Sequence, residues 1–345
     1  GDFEETGADQ ILNGDFSQES AELITNGDFA TDTDWTKGAG WTISGGTANC
    51  DGTNAVAIEQ NLSTVNTVVK KITFTVSNYV SGKLRVYSGA GGDVLYTVTA
   101  NGTYTYYDYL VNNKIFFYSI ESFNGSIDNV SVVEVGQNWS LSSGASITAL
   151  GARITHTPTA GTASQGSLVV GQDYKLTYEI TESISGGLKI NAAVDNSMVT
   201  SVGTHTKYFK ADAVSFSVSR TNSGNNDVTI TNITLQEVGQ EWVLNGEVSI
   251  TAQGARITSD GTYSDLTQDN ALVVGDTYEM EYEITESVVG GLSITGSFGS
   301  GITLKRTVGV HKFYAVAAST TLQIKRAGVT DITIDNIKIK RLNGD

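Results

Sequence analysis

The feature that most constrains this chain is an internal repeat, in which the same short phrases recur in the same order. A Trp, the phrase Gly-Ala-Arg-Ile-Thr and the phrase Leu-Val-Val-Gly occur twice, at Trp139, 151–155 and 168–171 and again at Trp242, 254–258 and 272–275. Repeats of this kind are typical of tandem units that stack on their neighbours. The chain is therefore predicted to contain copies of one module.

A third and more diverged copy lies upstream. Its phrase at Trp41 matches those at Trp139 and Trp242, and its closing strand at 127–132 matches a closing strand in each later copy. On this alignment a Trp recurs at one position in all three copies. Such recurrence of a large aromatic residue favours core packing over ligand binding.

The repeat predicts four segments. A polar, acidic stretch at 1–22 is interpreted as an N-terminal connector or arm, followed by modules at 23–136, 137–239 and 240–345, the last with a short C-terminal tail. The linkers are short and carry a single Gly, so the modules are expected to stack as a rod-like array.

Within each module apolar residues alternate with polar ones, which is typical of a strand with one buried face. The residues predicted to point inward are Tyr278, Met280, Tyr282 and Ile284 in the third module, Tyr174, Leu176, Tyr178 and Ile180 in the second, and Ile72, Phe74 and Val76 in the first. No stretch carries a convincing helical period. The predicted fold class is all-β, with three tandem antiparallel, jelly-roll-like β-sandwich modules.

Composition limits the partners. The formal net charge is −16 and the 21 Lys and Arg residues are scattered, so a nucleic-acid partner is not expected. No apolar run approaches the roughly 18 to 20 residues of a membrane span, so membrane insertion is not expected either. The single cysteine, Cys50, means that stability must come from packed cores.

The tripeptide Gly-Asp-Phe begins at Gly1, Gly14 and Gly27, and the chain stops at Asn343-Gly344-Asp345. This recurrence leads us to expect a segment of a longer modular array. The copy at Gly27 opens the first module, whereas the copies at Gly1 and Gly14 fall in the predicted connector.

The phrases Leu23–Phe29 and Ser126–Val132, together with Trp35 and Trp41, resemble carbohydrate-binding modules of families four, nine, sixteen and twenty-two. These modules are jelly-roll sandwiches. The stretch 26–52 also resembles repeated modules in structural and fibre proteins of tailed bacteriophages. The second and third modules lack the Asn-Gly-Asp-Phe phrase, so the resemblance reaches them through the internal repeat.

The resemblance implies a structural Ca²⁺ between the first and last strands, with Asp28 and Asp128 as candidate ligands. The family pattern often has an acidic residue after the Phe, where this chain has Ala30. The alternative interpretation is that both carboxylates cap turns by accepting backbone N–H groups.

The resemblance also implies sugar recognition by aromatic faces. Tyr104 and Tyr106 lie on the strand richest in aromatic residues, and Trp35 follows a polar run that is interpreted as a loop. These three are the candidate glycan-binding residues. The alternatives are cross-strand packing for the two tyrosines and a rim aromatic folded over the core for Trp35.

Catalysis finds no support in the sequence. His156, His205 and His311 are far apart, and the last two occupy equivalent sites in different modules. Nucleophile, phosphate-loop and His/Cys metal motifs do not occur. Repeated Arg153 and Arg256 are expected to make ion pairs or hydrogen bonds that fix a loop. We therefore predict a protein that is not an enzyme.

Two functions remain open. The favoured one is a structural, fibre or decoration protein of a virion or cell surface, acting extracellularly as a spacer. Its predicted partners are further copies of itself, in a homo-oligomer such as the trimer common in phage fibres, or other surface proteins. The alternative is a polysaccharide-binding adhesin or accessory module array whose glycan site lies in the first module.

Overall fold

The computed structural model describes most of the chain. The described residues are 3, 5–63, 68–87, 94–110, 113–142, 144–156, 161–166, 168–221, 224–299 and 301–342. Gly1 and Asp2 of the first Gly-Asp-Phe phrase and the closing Asn343–Asp345 lie outside them.

The regular elements of the described residues are 28 β-strands and no α-helix, as predicted. The strands of the first third are β1 Thr6–Asp9, β2 Thr36–Lys37, β3 Trp41–Ser44, β4 Thr47–Asp51, β5 Val56–Asn61, β6 Val69–Tyr87, β7 Val94–Val98, β8 Gly102–Tyr109 and β9 Lys114–Glu134. They are followed by β10 Ser140–Leu141, β11 Ala145–Thr148, β12 Gly151–Thr155, β13 Thr162–Gln165, β14 Asp173–Ser185, β15 Leu188–Ile190, β16 Gly203–Lys210, β17 Phe216–Arg220 and β18 Asp227–Val238. The last are β19 Val243–Asn245, β20 Val248–Thr251, β21 Gly254–Ser259, β22 Asp265–Gln268, β23 Thr277–Val289, β24 Leu292–Ile294, β25 Ile302–Thr303, β26 Gly309–Val316, β27 Leu322–Arg326 and β28 Thr330–Arg341.

The buried side chains of the described residues form three clusters, and we call the strands around them the first, second and third unit. The third unit has sheets β20-β21-β28-β23-β26 and β19-β22-β27-β24-β25, and the second has β11-β12-β18-β14-β16 and β10-β13-β17-β15. In the first unit the long strands β6 and β9 pair with each other along most of their length. Strand β6 also pairs with β7 and β8, and β9 also pairs with β4 and β5. The named pairings are antiparallel, so the chain folds as antiparallel β-sandwiches.

The alternation predicted from the sequence is confirmed. Tyr174, Leu176, Tyr178 and Ile180 are at most 1% exposed, and their counterparts in the first and third units are likewise buried. Successive side chains of a strand point to opposite faces, so this alternation alone orients the strand toward the core.

The prediction that residues 1–22 form a connector differs from the structure. Phe3 is buried in the core of the third unit, while Ile11 and Phe16 are buried in the core of the second. Strand β1 pairs with β18, the last strand of the second unit. The segment therefore runs back along both later units, each of which receives an aromatic side chain from it.

Phe3, Phe16 and Phe29 are the aromatic residues of the three Gly-Asp-Phe phrases, and each packs against a Trp of its unit. The ring centroids of Phe29 and Trp35 are 5.1 Å apart, those of Phe16 and Trp139 are 4.9 Å apart, and those of Phe3 and Trp242 are 5.2 Å apart. The interplanar angles lie between 37° and 40°. The phenylalanine of the first Gly-Asp-Phe phrase thus packs in the third unit, that of the second phrase in the second unit, and that of the third phrase in the first unit.

This pairing corrects the alignment of the tryptophans. Trp35, and not Trp41, is the counterpart of Trp139, because the indole Nε1 of Trp35 donates to the carbonyl of Asn26 and that of Trp139 donates to the carbonyl of Asn13. Trp41 pairs with Cys50 and packs near Phe123 instead. All four tryptophans are at most 8% exposed.

The phrase itself has a physical explanation. The carbonyl of Gly27 accepts a hydrogen bond from Val130, and a Cβ on Gly27 would lie 2.0 Å from the Val130 oxygen. Gly14 approaches Ile233 in the same way, at 1.9 Å. Only Gly permits this close approach. The preceding Asn and the following Phe have positive φ in both described phrases.

Within the described residues, no helix is long and apolar enough to cross a membrane.

Candidate functional site: an aromatic edge in the first unit

The strongest candidate site is an aromatic strip at the edge of the first unit. Strand β8 pairs with β6 so that Tyr104 lies opposite Phe74 and Tyr106 opposite Ile72. Opposite residues of an antiparallel pair share a face, so both tyrosines point to the core side of the sheet. Among the described strands β8 pairs with β6 alone, so the two tyrosines lie at the edge of the sheet and are only half-buried.

A third tyrosine completes the strip. Tyr96 on β7 stacks on Tyr106 with the ring centroids 3.4 Å apart and the planes 14° apart. Tyr104 and Tyr106 are separated by 6.3 Å at 8°. The hydroxyl of Tyr104 donates to the Ala100 carbonyl, at 2.9 Å. Tyr96 covers one face of Tyr106, and Phe74 stacks on Tyr104 with the ring centroids 5.6 Å apart. The strip thus combines half-buried aromatic rings with hydroxyl groups.

Two hydroxyls of the strip, those of Tyr96 and Tyr106, hold their protons more firmly than a free tyrosine. Burial raises the pKa of Tyr96, and the negative charge of Asp108 adds to the effect. Burial also raises the pKa of Tyr106. Both groups can therefore donate as well as accept hydrogen bonds.

The equivalent positions of the second and third units do not carry these tyrosines. In the second unit His205 and Lys207 stand where Tyr104 and Tyr106 stand, and in the third His311 and Phe313 do so. Each histidine lies 5.5 Å from a core tyrosine and its Nε2 lies 2.6 Å from a backbone oxygen of its own unit. The sequence led us to expect a glycan site in the first module, but it did not reveal Tyr96, whose short strand has no clear alternation.

Trp35 is not an exposed contact residue. It is 6% exposed, lies between Phe29 and Phe117, and donates its indole N–H to the Asn26 carbonyl at 3.0 Å. Its ring faces are therefore covered by core side chains. The interpretation as an aromatic folded over the core is the one that agrees with this packing.

Asp28 and Asp128 are engaged in turns. Asp28 Oδ1 accepts from the Ala30 N–H at 3.3 Å, and Asp128 Oδ1 accepts from the Asn129 N–H at 2.6 Å. Among the described residues no group of three or more His, Cys, Asp or Glu side chains could hold a metal ion. Ca²⁺ takes six to eight oxygens. A calcium site between Asp28 and Asp128 would therefore need backbone oxygens for most of its ligands, as the family resemblance implies, and it stays a prediction. The observed hydrogen bonds agree with the alternative of turn capping.

A cavity of about 510 Å³ lies between the second and third units. Tyr208 and Ile250 line it together with Asp173, whose Oδ2 is 3.1 Å from Lys210 Nζ. Burial raises the pKa of Asp173, and the charge of Lys210 opposes this effect. Asp173 Oδ1 also accepts from the Ile250 N–H at 3.3 Å, so the carboxylate ties the two units together.

The repeated arginines make the expected ion pairs. Arg256 Nε and Nη2 donate to the two oxygens of Asp331, each at 2.8 Å, and Arg153 pairs with Asp227 in the same bidentate way. Both pairs join neighbouring strands of a sheet. They have a structural role far from the aromatic strip.

No protein-family model matches the chain, and no curated protein matches it. Among solved structures, a match is found to the N-terminal CBM22-1-CBM22-2 tandem domain from Paenibacillus barcinonensis Xyn10C. The two chains are 11% identical, the TM-score is 0.27, and the match covers 64% of this chain and 99% of that chain. A similarity this distant carries no argument about function.

Proposed function

We propose that this protein is a non-enzymatic structural spacer of a virion or cell surface, built to hold its units in a fixed arrangement. The observation that carries the proposal is the path of the N-terminal segment. Because Phe3 belongs to the third unit and Phe16 to the second, the chain crosses each junction between units twice. Two covalent connections restrict bending and twisting far more than one short linker does.

Side-chain contacts at the junctions support the same role. Tyr107 and Tyr109 of the first unit pack against the core of the second, and Tyr208 of the second packs against the core of the third. Lys71 of the first unit pairs with Glu19 of the N-terminal segment at 2.6 Å. The second junction also has a polar contact, the hydrogen bond from the Ile250 N–H to Asp173. Side-chain contacts of both kinds thus add to the two chain crossings at each junction.

The proposed extracellular setting follows from the composition and from the resemblance to phage fibre modules. The described chain relies on three packed cores and has one buried free cysteine, Cys50. Packed cores of this size can stabilise a surface protein that has no disulfide bonds.

Spin labels test the rigidity directly. Labels at Glu121→Cys in the first unit and Val288→Cys in the third, in a Cys50→Ala background, should give one narrow distance distribution. Inserting Gly-Gly-Ser after Gly239 should leave that distribution narrow, since the N-terminal segment still ties the second junction. A broad distance distribution in the parent chain would rule out the spacer role. So would a distribution that becomes broad after the insertion, as expected if the second and third units moved independently.

A second candidate function is polysaccharide binding by the strip of Tyr96, Tyr104 and Tyr106. The nearly parallel arrangement of the three rings favours it, because flat apolar faces stack on sugar rings while hydroxyls bond their polar groups. On a glycan array, Tyr104→Ala and Tyr106→Ala should each remove binding, while Tyr104→Phe should retain most of it. Tyr87→Ala, in an aromatic pair with Tyr118 elsewhere in the same unit, is the matched control. Unchanged binding by both alanine variants would eliminate the site.

A further inference from the structure

The two internal junctions use the same pair of surfaces. We call the outward face of the edge strand β8, and of the equivalent strands β16 and β26, the tail surface of the unit. It carries Tyr107 and Tyr109 in the first unit and Tyr208 in the second. We call the first hairpin of a unit the head surface; it carries Ile147 in the second unit and Ile250 in the third. Each tail surface packs against the head surface of the following unit, as the lining of the cavity around Tyr208 and Ile250 illustrates.

The register of the strands fixes the counterparts of these residues at the two ends. On the tail side, Tyr107 lies opposite Lys71, Tyr208 opposite Lys175 and Tyr314 opposite Glu279, at the same step of each sheet. On the head side, Ile43 lies opposite Ala48 as Ile147 lies opposite Ala152 and Ile250 opposite Ala255. Tyr314 therefore belongs to the tail surface of the third unit, and Ile43 to the head surface of the first.

The tail surface of the third unit is open. Tyr314 is 63% exposed, and its neighbours on the same side of β26, Val310 and Val316, are 58% and 51% exposed. Val316 stands where Tyr109 packs into the first junction. Lys312 lies on the same face between Val310 and Tyr314 and pairs with Glu279 and Glu281, so the patch combines three exposed apolar side chains with one neutralised cation. Exposed apolar side chains gathered on an edge strand are typical of an interaction site.

The head surface of the first unit is open as well. Ile147 and Ile250 are each 2% exposed and belong to the buried clusters of the second and third units, whereas Ile43, at the same register position of the first unit, is only half-buried. Within the described residues, the tail surface of the third unit and the head surface of the first unit are thus not covered by another unit.

We propose that the tail surface of the third unit docks on the head surface of the first unit of a second copy of this chain. Two junctions within the chain already join these surfaces, so the partner is specified by the shape and chemistry of an existing interface. A contact between two different surfaces is heterologous, so it propagates as an open filament unless its rotation closes a ring. The inference deepens the proposed spacer role, on which it rests.

Charge sets the conditions for this association. Each copy carries a formal net charge of −16, so approach of two copies is opposed at low ionic strength. A docked pair also lacks the covalent linker that brings the internal surfaces together. Association is therefore expected to be weak, and to strengthen as salt screens the repulsion.

Sedimentation velocity over a concentration series at about 0.15 and 0.5 M salt, the range over which the screening length falls appreciably, tests the proposal. The weight-average mass of the parent chain should rise with concentration, more so at the higher salt. Tyr314→Lys and Ile43→Lys should each stay monomeric. Val288→Lys, which alters an exposed valine near the far end of β23, is the matched control and should associate like the parent chain.

Mixing the two blocked variants distinguishes a heterologous contact from other modes. The Tyr314→Lys chain keeps a free head and the Ile43→Lys chain keeps a free tail, so an equimolar mixture should form dimers and nothing larger. A parent chain that is monomeric throughout, a Tyr314→Lys chain that associates normally, or a mixture that stays monomeric would overturn the proposal. A monomeric chain with a narrow spin-label distance distribution would overturn docking while leaving the spacer role intact.

Discussion

Phe16 packs against Trp139 with ring centroids 4.9 Å apart, although the whole first unit lies between them in the sequence. The indole N–H of Trp139 is bound to the carbonyl of Asn13, in the same short phrase. The second unit therefore completes its core with residues that precede the first unit. Its stability depends on contacts of very long sequence separation, which are expected to form late in folding.

Removing the aromatic side chains of the N-terminal segment should destabilise the later units selectively. Phe16→Ala should lower the stability of the second unit by about 3 to 5 kcal/mol, because a fully buried ring is lost and leaves a cavity. Phe3→Ala should have the same effect on the third unit. Hydrogen exchange measured peptide by peptide would locate the loss of protection.

Two variants control for this effect. Phe29→Ala should instead expose the first unit, and Leu12→Ala, which alters a side chain 60% exposed in the same segment, should change little. Equal loss of protection in all three units after Phe16→Ala would contradict the assignment of this residue to the second unit.

The contrast between the strands and this segment explains what sequence reasoning could reach. The alternation of Tyr278, Met280 and Tyr282 is local, so it predicts the inward face of β23 without knowledge of the partner strand. Phe3 and Phe16 carry no such period. Each is a single anchor whose partner lies far along the chain, and only the folded path brings the two together.

The candidate site was predictable to a similar degree. The period of two along a strand places Tyr104 and Tyr106 on one face of β8 and Tyr107 on the other, and the structure has them packed against different cores. The stacking of Tyr96 depends on the pairing of β6 with both β7 and β8, which the sequence does not encode locally. Trp35 was ambiguous because its cover, Phe117, lies on a distant strand.

A methyl group at Gly27 should be poorly tolerated. The Cβ of Gly27→Ala would lie 2.0 Å from the carbonyl oxygen of Val130, a backbone atom that cannot move aside without breaking the strand contact. We expect a loss of about 1 to 3 kcal/mol in the free energy of unfolding of the first unit, the usual range for overpacking. Chemical denaturation would measure it.

Gly299→Ala is the matched control, since a Cβ at Gly299 meets no heavy atom within 4 Å. It should leave the denaturation midpoint nearly unchanged. If Gly27→Ala were equally silent, the close approach to Val130 would not be a constraint on the phrase.

Chelation tests the calcium that the family resemblance implies. Asp28 and Asp128 already accept backbone N–H groups, and the described side chains offer no third acid nearby. We therefore expect EDTA to leave the melting temperature unchanged, and added Ca²⁺ to have no effect on it. A melting temperature that falls with EDTA and recovers with Ca²⁺, but not in Asp128→Asn, would establish the metal site instead.

The Arg256–Asp331 pair should give the third unit a dependence on acid. The hydrogen bonds from Arg256 lower the pKa of Asp331 below its ordinary value of 3.8, so the folded state favours the charged carboxylate. The stabilisation is present above the unfolded pKa and disappears as the pH falls through the lower, folded value. The pair is partly exposed, so its contribution at neutral pH is expected to be about 1 kcal/mol or less.

Asp331→Asn tests this dependence. The variant should be slightly less stable than the parent chain at pH 7, and the two should become equally stable as the pH falls well below 4, where the parent carboxylate is protonated. Denaturation of both proteins between pH 7 and pH 2.5 would measure the difference. A stability gap that persists unchanged into acid would mean that Asp331 acts through packing and not through its charge.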